Sequence, residues 1–234
     1  MTHPLGPEPP HRRFRDRLEA GDALGREVRE YAGWPGVLVL GLARGGVPVA
    51  ARVAAALGAP LDVLVIRKLG VPWQPELAMG AIGHGGVRVL DRELIEAAGI
   101  PCSIVHEVLE RELAELTRRE RAYRAWPPAD PAGRTVILVD DGMATGASME
   151  AAIKVVRARR PAAVAVAVPV ASLTACRRIA RLADRLVCIS PARRFVGVGQ
   201  WYDDFSPTSD GEVRRLLRLA QAGPGARQRC GGVA

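Results

Sequence analysis

Five short apolar runs recur along the chain: VLVLGL at 37–42, LDVLVI at 61–66, TVILV at 135–139, AVAVAV at 163–168 and RLVCI at 185–189. Each is of strand length and largely lacks the polar alternation of a half-exposed strand. Strands of this kind are covered on both faces, as in a parallel sheet. The segments between them have helical spacing, so strands and helices alternate. The expected fold class is therefore α/β, a mostly parallel twisted sheet flanked by helices. In open sheets of this class, ligands sit beyond the carboxyl ends of the strands. That rule selects three loops: 43–46, the segment from Arg67 onward, and 140–148.

The intervening segments are read as follows. Residues 15–32 have helical spacing, with Leu18, Leu24, Val28 and Tyr31 on one side. Residues 47–57 form an Ala-rich helix that tolerates Pro48 in its first turn. Segment 69–86 holds two Pro and five Gly. It is predicted to be a loop with one short strand near 79–82, and GGVRVL adds another. Asp91 caps a helix to about residue 98. Residues 103–125 form a long charged helix with Val105, Val108, Leu109, Leu113 and Leu116 as its apolar stripe. Helices are expected at 147–158 and 173–182, and Ser209 opens a last one with Glu212 completing a capping box. Residues 1–13 read as a disordered Pro-rich lead-in, 14–220 as one domain and 221–234 as a flexible tail. With 48% hydrophobic but only 4% aromatic residues, the core must rest on Val, Leu, Ile and Ala.

The formal charge of +8 comes almost wholly from arginine. Such a balance suits an anionic ligand or nucleic acid, and it equally fits a general bias toward arginine. Cys102, Cys176, Cys188 and Cys230 show neither disulfide-like nor metal-ligand spacing, which suggests free thiols in a reducing cytosol. No apolar run reaches the length of a membrane span, and the first residues contain no apolar signal core.

The third run leads into VILVDDGMATGAS, residues 136–148. Asp140 and Asp141 at a strand end can accept hydrogen bonds from a vicinal diol. The loop that follows offers backbone N–H groups at a helix N-terminus, where an anion is favoured. Gly142 and Gly146 allow tight turning, and Thr145 and Ser148 add hydroxyls. A diol a few ångströms from a phosphate, as in ribose 5-phosphate, satisfies both halves. Other phosphate motifs fail on spacing. Gly146 is followed by Ala147 rather than by Lys and Ser/Thr, and GLARGG is not a dinucleotide fingerprint.

VILVDDGMATGAS resembles the phosphoribosyl pyrophosphate signature of the type I phosphoribosyltransferases, and the likeness extends over roughly residues 14–220. The resemblance implies that Asp140 and Asp141 hold the ribose 2- and 3-hydroxyls. It implies that Ala144, Thr145, Gly146, Ala147 and Ser148 bind the 5-phosphate, and that Arg44 and Gly45 of LARGG contact pyrophosphate. Arg67 and Lys68 match the basic position after the next strand, with Lys68 grouped with the two acids as catalytic. Segment 69–86 matches the mobile loop that closes over the reaction. Magnesium is the implied cofactor, bound through ribose, water and pyrophosphate, with no direct protein ligand assigned. The implied reaction moves the phosphoribosyl group of phosphoribosyl pyrophosphate to a nitrogen acceptor, a heterocyclic base. A small hood, built from the N-terminal helix and 197–205, would read that base.

Ala144 stands where the 6-oxopurine members carry a further aspartate, which disfavours a hypoxanthine–guanine role. Trp201 is assigned to the acceptor pocket, with core packing as the competing reading. His84 reads as a surface loop residue and the basic end of the long helix as a solvated face rather than a nucleic-acid site. The long helix itself reads as a packing or homodimer element. Two rivals to the transferase remain: a non-catalytic sensor of phosphoribosyl pyrophosphate or a nucleotide, and a hydrolase with water as acceptor.

Overall fold

The computed structural model of the protein describes residues 13–83, 86–123 and 126–222. Strand β1 (Val37–Leu42) is buried along its whole length. It pairs in parallel with β2 (Leu61–Leu64) on one side and β6 (Thr135–Val139) on the other. Beyond β6 lie β7 (Ala163–Ser172) and β8 (Arg185–Ala192), again parallel, giving a five-stranded sheet of order β2-β1-β6-β7-β8. Each of the five apolar runs supplies one strand of this sheet, as the fold-class reading required.

Side-chain alternation divides the core into two layers. Val37 and Val39 of β1, with Ile137 and Val139 of β6, face a cluster containing α1 (Arg17–Glu27), α2 (Gly46–Leu57), α4 (Cys102–Tyr123) and α7 (Asp210–Ala222). Leu38, Leu40, Leu42, Val136 and Leu138 face α5 (Ala147–Arg157) and α6 (Leu173–Ile179) on the other side. The stripe of α4 is covered within the chain, by the hairpin described below and by α7. Ser209 caps α7 through Glu212 N–H to its Oγ at 3.1 Å. Asp91 caps α3 (Arg92–Ala97) by accepting from Leu94 N–H at 3.1 Å.

The largest departure concerns segment 69–86, whose described residues 69–83 are not a loop. The parallel strand stops at Leu64, and Ile66 begins a second, antiparallel sheet of β3 (Ile66–Val71), β4 (Gln74–Gly83) and β5 (Val87–Leu90). Leu69, Val71, Met79, Ala81 and Ile82 are buried, and only Pro72 and Trp73 form the turn between β3 and β4. The glycines that suggest flexibility in the sequence mark close approach instead. A Cβ on Gly80 would overlap the Val89 carbonyl of β5, and one on Gly83 would lie 2.6 Å from Val155 of α5.

Smaller differences have local causes. Helix α1 ends at Glu27, and a 3-10 turn covers Arg29–Tyr31. Leu18 is 44% exposed, and the small residues of α1 are buried instead: Gly21 and Gly25 press against α2, while Ala20 and Ala23 face β7, β8 and the chain after them. Strand β7 runs past Pro169 to Ser172 because β8 keeps pairing with it through Val170, Ala171 and Ser172. The expected lead-in (apart from Arg13), His84, the last two residues of the long helix, Cys230 and most of the expected tail lie outside the described residues. Gln221 and Ala222 belong to α7.

The N-terminal segment and the chain after β8 meet as the hood. Phe14 N–H donates to Trp201 O at 2.8 Å, and Asp203 N–H donates to Phe14 O at 2.9 Å. Phe14, Ala20, Ala23, Val170, Ala192, Trp201 and Tyr202 form a third core cluster beneath it. Trp201 is 3% exposed, and its ring is stacked on Phe195 at 6.0 Å. Its assignment to an acceptor pocket is therefore corrected: the short 3-10 turn Val198–Trp201 rolls the indole inward, and the side chain is core. Trp201→Ala should lower stability by about 3–5 kcal/mol, as for other large aromatic truncations in a core. Chemical denaturation measures this, and a change below about 1 kcal/mol would contradict the packing.

Candidate active site

Strands β1 and β6 are neighbours in register, with Leu40 opposite Leu138 and Gly41 opposite Val139. Their carboxyl ends therefore open side by side. The turn after β1 is Ala43-Arg44-Gly45, with a cis peptide between Ala43 and Arg44. The turn after β6 carries Asp140 and Asp141. The two turns touch: a Cβ on Gly45 would overlap the Asp141 carboxylate, and one on Gly46 would lie 2.7 Å from Val139 O and 2.8 Å from Asp140 Cα. Only glycine permits this approach.

The carboxylates of Asp140 and Asp141 are largely buried at the strand end. Asp140 Oδ1 accepts from Asp141 N–H at 2.9 Å. Asp141 Oδ2 accepts from Arg17 Nε at 2.8 Å, and its carbonyl accepts from the Tyr202 hydroxyl at 2.7 Å. Burial pushes the Asp140 carboxyl well above the usual carboxylate range, and the neighbouring Asp141 charge adds to this. Burial also raises Asp141, against the opposing pull of Arg17. Arg17 escaped the sequence analysis. It lies in the first turn of α1, far along the chain from the acids, and no local pattern marks it.

On the other side of the acids, 142–146 turn the chain into α5. Gly146 adopts φ +78° at the N-cap position, a left-handed conformation that favours glycine. It is buried against Ile179 and Ala175 of α6. Ala144, Thr145 and Ser148 lie around the first turn of α5, with Ala144 and Thr145 exposed, and Ala147 N–H donates to Thr145 Oγ1 at 3.3 Å. Ser172 Oγ steadies the loop by donating to Ala144 O at 2.6 Å. The loop thus sets the hydroxyls of Thr145 and Ser148 beside the N-terminus of an eleven-residue helix, the kind of place where an anion is favoured.

The basic residues divide. The Arg44 guanidinium is half-exposed and lies 3.6 Å from Asp210 at the start of α7. Arg67 and Lys68 follow each other in β3 and point to opposite faces. Arg67 is paired with Glu112 of α4 at 2.6 Å, which leaves Lys68 as the less engaged of the two candidates for the basic position. Lys68 is exposed and shares its face with Ile66, which packs on Val155 of α5, the helix that follows 142–146. Among the described residues, no group of three or more His, Cys, Asp or Glu could hold a metal ion.

A stability consequence follows. A carboxyl whose folded-state pKa is raised above its unfolded value destabilises the fold at every pH above the folded pKa, and the penalty fades as pH falls toward the unfolded value. Asp140→Asn removes one charge and keeps an oxygen to accept from Asp141 N–H. The ligand-free variant should therefore melt at higher temperature than wild type at mildly alkaline pH. The gap should narrow as pH falls into the ordinary carboxylate range. Thermal melts across pH test this; an equal or lower Tm at alkaline pH would show that the pair carries no electrostatic strain.

Comparison with known proteins agrees with this geometry. Residues 15–204 match the phosphoribosyl transferase domain family. Curated proteins from two strains of Mycobacterium tuberculosis, each named "putative phosphoribosyl transferase", are 46% identical over 208 residues, which is 88% of this chain and 47% of theirs. The chain thus spans about half the length of these relatives. Among solved structures, TT1426 from Thermus thermophilus is 44% identical, with a TM-score of 0.80 over 88% of this chain and 97% of that one. With the acidic pair, the glycine turn and the N-terminus of α5 in one cleft, the chain belongs to the phosphoribosyl transferase family.

Proposed function

We propose that the protein transfers the phosphoribosyl group of phosphoribosyl pyrophosphate to a ring nitrogen of a heterocyclic base, releasing pyrophosphate. One observation carries the reading. The acidic pair stands between a glycine turn on one side and a helix N-terminal anion cradle on the other, the order in which pyrophosphate, ribose diol and 5-phosphate occur in that substrate.

In this reading, Thr145, Ser148 and the N–H groups of 144–148 hold the 5-phosphate. Asp140 and Asp141 accept from the two ribose hydroxyls. The turn at Arg44 and Gly45 receives the pyrophosphate, with Lys68 as the exposed cation on the β3 face that packs toward α5. The bond from C1 to the pyrophosphate oxygen breaks, and its electron pair leaves with pyrophosphate. A nitrogen lone pair then forms the new bond to C1, and the nitrogen's proton is lost to solvent or to the departing anion. Positive charge develops on the ribose at the transition state. The buried carboxylates lie beside that charge, where a low-dielectric surrounding strengthens their effect. The protein supplies position and field rather than a covalent intermediate.

Magnesium fits as an ion carried by the substrate. Two carboxylates, one of them paired with Arg17, do not make a protein cage, whereas magnesium commonly keeps waters and substrate oxygens as ligands. Asp140 and Asp141 would hold it through ribose hydroxyls and water, and when bound it would neutralise the leaving group. The free thiols Cys102, Cys176 and Cys188 support a cytosolic setting. Among the described residues, no helix is long and apolar enough to cross a membrane. The acceptor is a small molecule, read from the hood side of the cleft.

A scan of heterocyclic bases with labelled phosphoribosyl pyrophosphate and magnesium tests the reading. Pyrophosphate release that depends on one base supports the transferase. Release without any base indicates a hydrolase, and binding without release indicates a sensor. Asp141→Asn should weaken binding of phosphoribosyl pyrophosphate by roughly 1.5–3 kcal/mol in calorimetric titration, the value of a charge-assisted hydrogen bond. Gly146→Val should abolish binding of ribose 5-phosphate, because a β-branched residue is strained at positive φ and would fill the cradle. A folded Gly146→Val protein that still binds it would remove the cradle from the site.

A further inference from the structure

Arg17 joins three parts of the cleft. Its Nε donates to Asp141 Oδ2 at 2.8 Å, and one terminal N–H donates to Ser206 O at 2.8 Å. The guanidinium carbon lies 4.0 Å from the centre of the Phe205 ring and 6.0 Å from that of Tyr202. A Cβ on Gly45 would stand 3.4 Å from Arg17 Nε, so the side chain also borders the glycine turn. The Arg17 and Asp141 side chains are only 11% and 13% exposed, which separates this pair from the exposed ion pairs elsewhere on the surface. Such a desolvated pair is costly unless both partners are well bonded. Here the guanidinium is bonded at both ends and stacked on an aromatic ring.

We propose that Arg17 is a positioning residue: it keeps Asp141 ionised and aimed for the ribose diol, and it locks the hood segment 202–206 to the acidic pair. This rests on the reading of Asp140 and Asp141 as the diol site. The geometry assigns one oxygen of each carboxylate to the protein, Asp140 Oδ1 to Asp141 N–H and Asp141 Oδ2 to Arg17. The two carboxyl groups also stand within hydrogen-bond reach of each other, and a diol would bind in place of that contact. The groups facing Arg17 and Asp141 are Asp140 from the end of β6, Tyr202 from the hood and, at longer range, Asp204. The α2 side presents Gly45, while Arg44 turns to Asp210. Arg17 is thus the cation in contact with a pair that burial otherwise drives toward its protonated form. A ligand hydroxyl donates a stronger hydrogen bond to the ionised form.

The test is calorimetric titration of wild type, Arg17→Met and Arg17→Lys with ribose 5-phosphate and, separately, with inorganic phosphate, from mildly acid to mildly alkaline pH. Arg17→Met should lose affinity for ribose 5-phosphate on the order of tenfold at mildly acid pH, the scale seen when a group that orients a binding residue is removed. The acid limb of its binding curve should move to higher pH. Its affinity for inorganic phosphate, which needs only the cradle, should not change. Arg17→Lys, which restores the charge without the planar fork, should return the acid limb toward wild type. Arg17→Gln replaces Arg17→Met should the latter not fold. The proposal is overturned by a pH profile of Arg17→Met that superimposes on wild type, or by equal losses for both ligands, which would mean general loosening. A wild type that binds inorganic phosphate but shows no added affinity for ribose 5-phosphate would instead remove the diol reading, and the inference with it.

Discussion

The whole cleft depends on β1 and β6 lying side by side in parallel register. Their pairing from Val37 opposite Thr135 to Gly41 opposite Val139 sets both carboxyl ends at one level. That alone brings the glycine turn after β1 against the two acids after β6. The apolar faces of these strands bury into different helix layers, so the register is held from both sides. A slip by one residue would turn Val39 and Ile137 toward the wrong layer. It would also separate Gly45 and Gly46 from the carboxylates that they touch. Packing of ordinary aliphatic side chains thereby sets the geometry of a charged site.

Much of this was legible in the sequence because the information is local. A run such as TVILV is a buried strand whatever surrounds it, and its predicted limits coincide with β6. The acids, Gly146 and the helix after them lie within a few residues of one another, so one stretch of text describes most of the proposed anion and diol site. Asp91 and Ser209 as caps are equally local. The fold class followed from alternation of strand and helix, which the five-stranded sheet repeats.

What the sequence obscured is non-local or ambiguous in composition. Glycine and proline in 69–86 signal either a loose loop or strands packed close together, and only the partners decide. Val89 and Val155 are those partners for Gly80 and Gly83. Arg67 and Lys68 both match the basic position after the second strand, and adjacency in text hides their opposite directions in a strand. Trp201 beside Tyr202 and two acids resembled an exposed platform, but the covering role of Phe14 and Phe195 could not be read from text alone. Arg17 carried no signal, since its partners are 124 and 189 residues distant.

Those two separations bear on how the protein comes to exist. Arg17 leaves the ribosome early, the acids emerge well after it, and Ser206 emerges near the end of the described chain. A nascent chain can assemble β1, α2 and their neighbours as they appear, yet the acidic pair meets both the guanidinium and the hood only after nearly all of the domain is made. Contacts between such distant segments close late because the loop entropy must be overcome first. Until then the two carboxylates have no cation against them, and a half-made chain has no finished cleft. Synthesis itself thus acts as a timer, and the contacts around the acidic pair are withheld until the last strand and the segment beyond it have arrived.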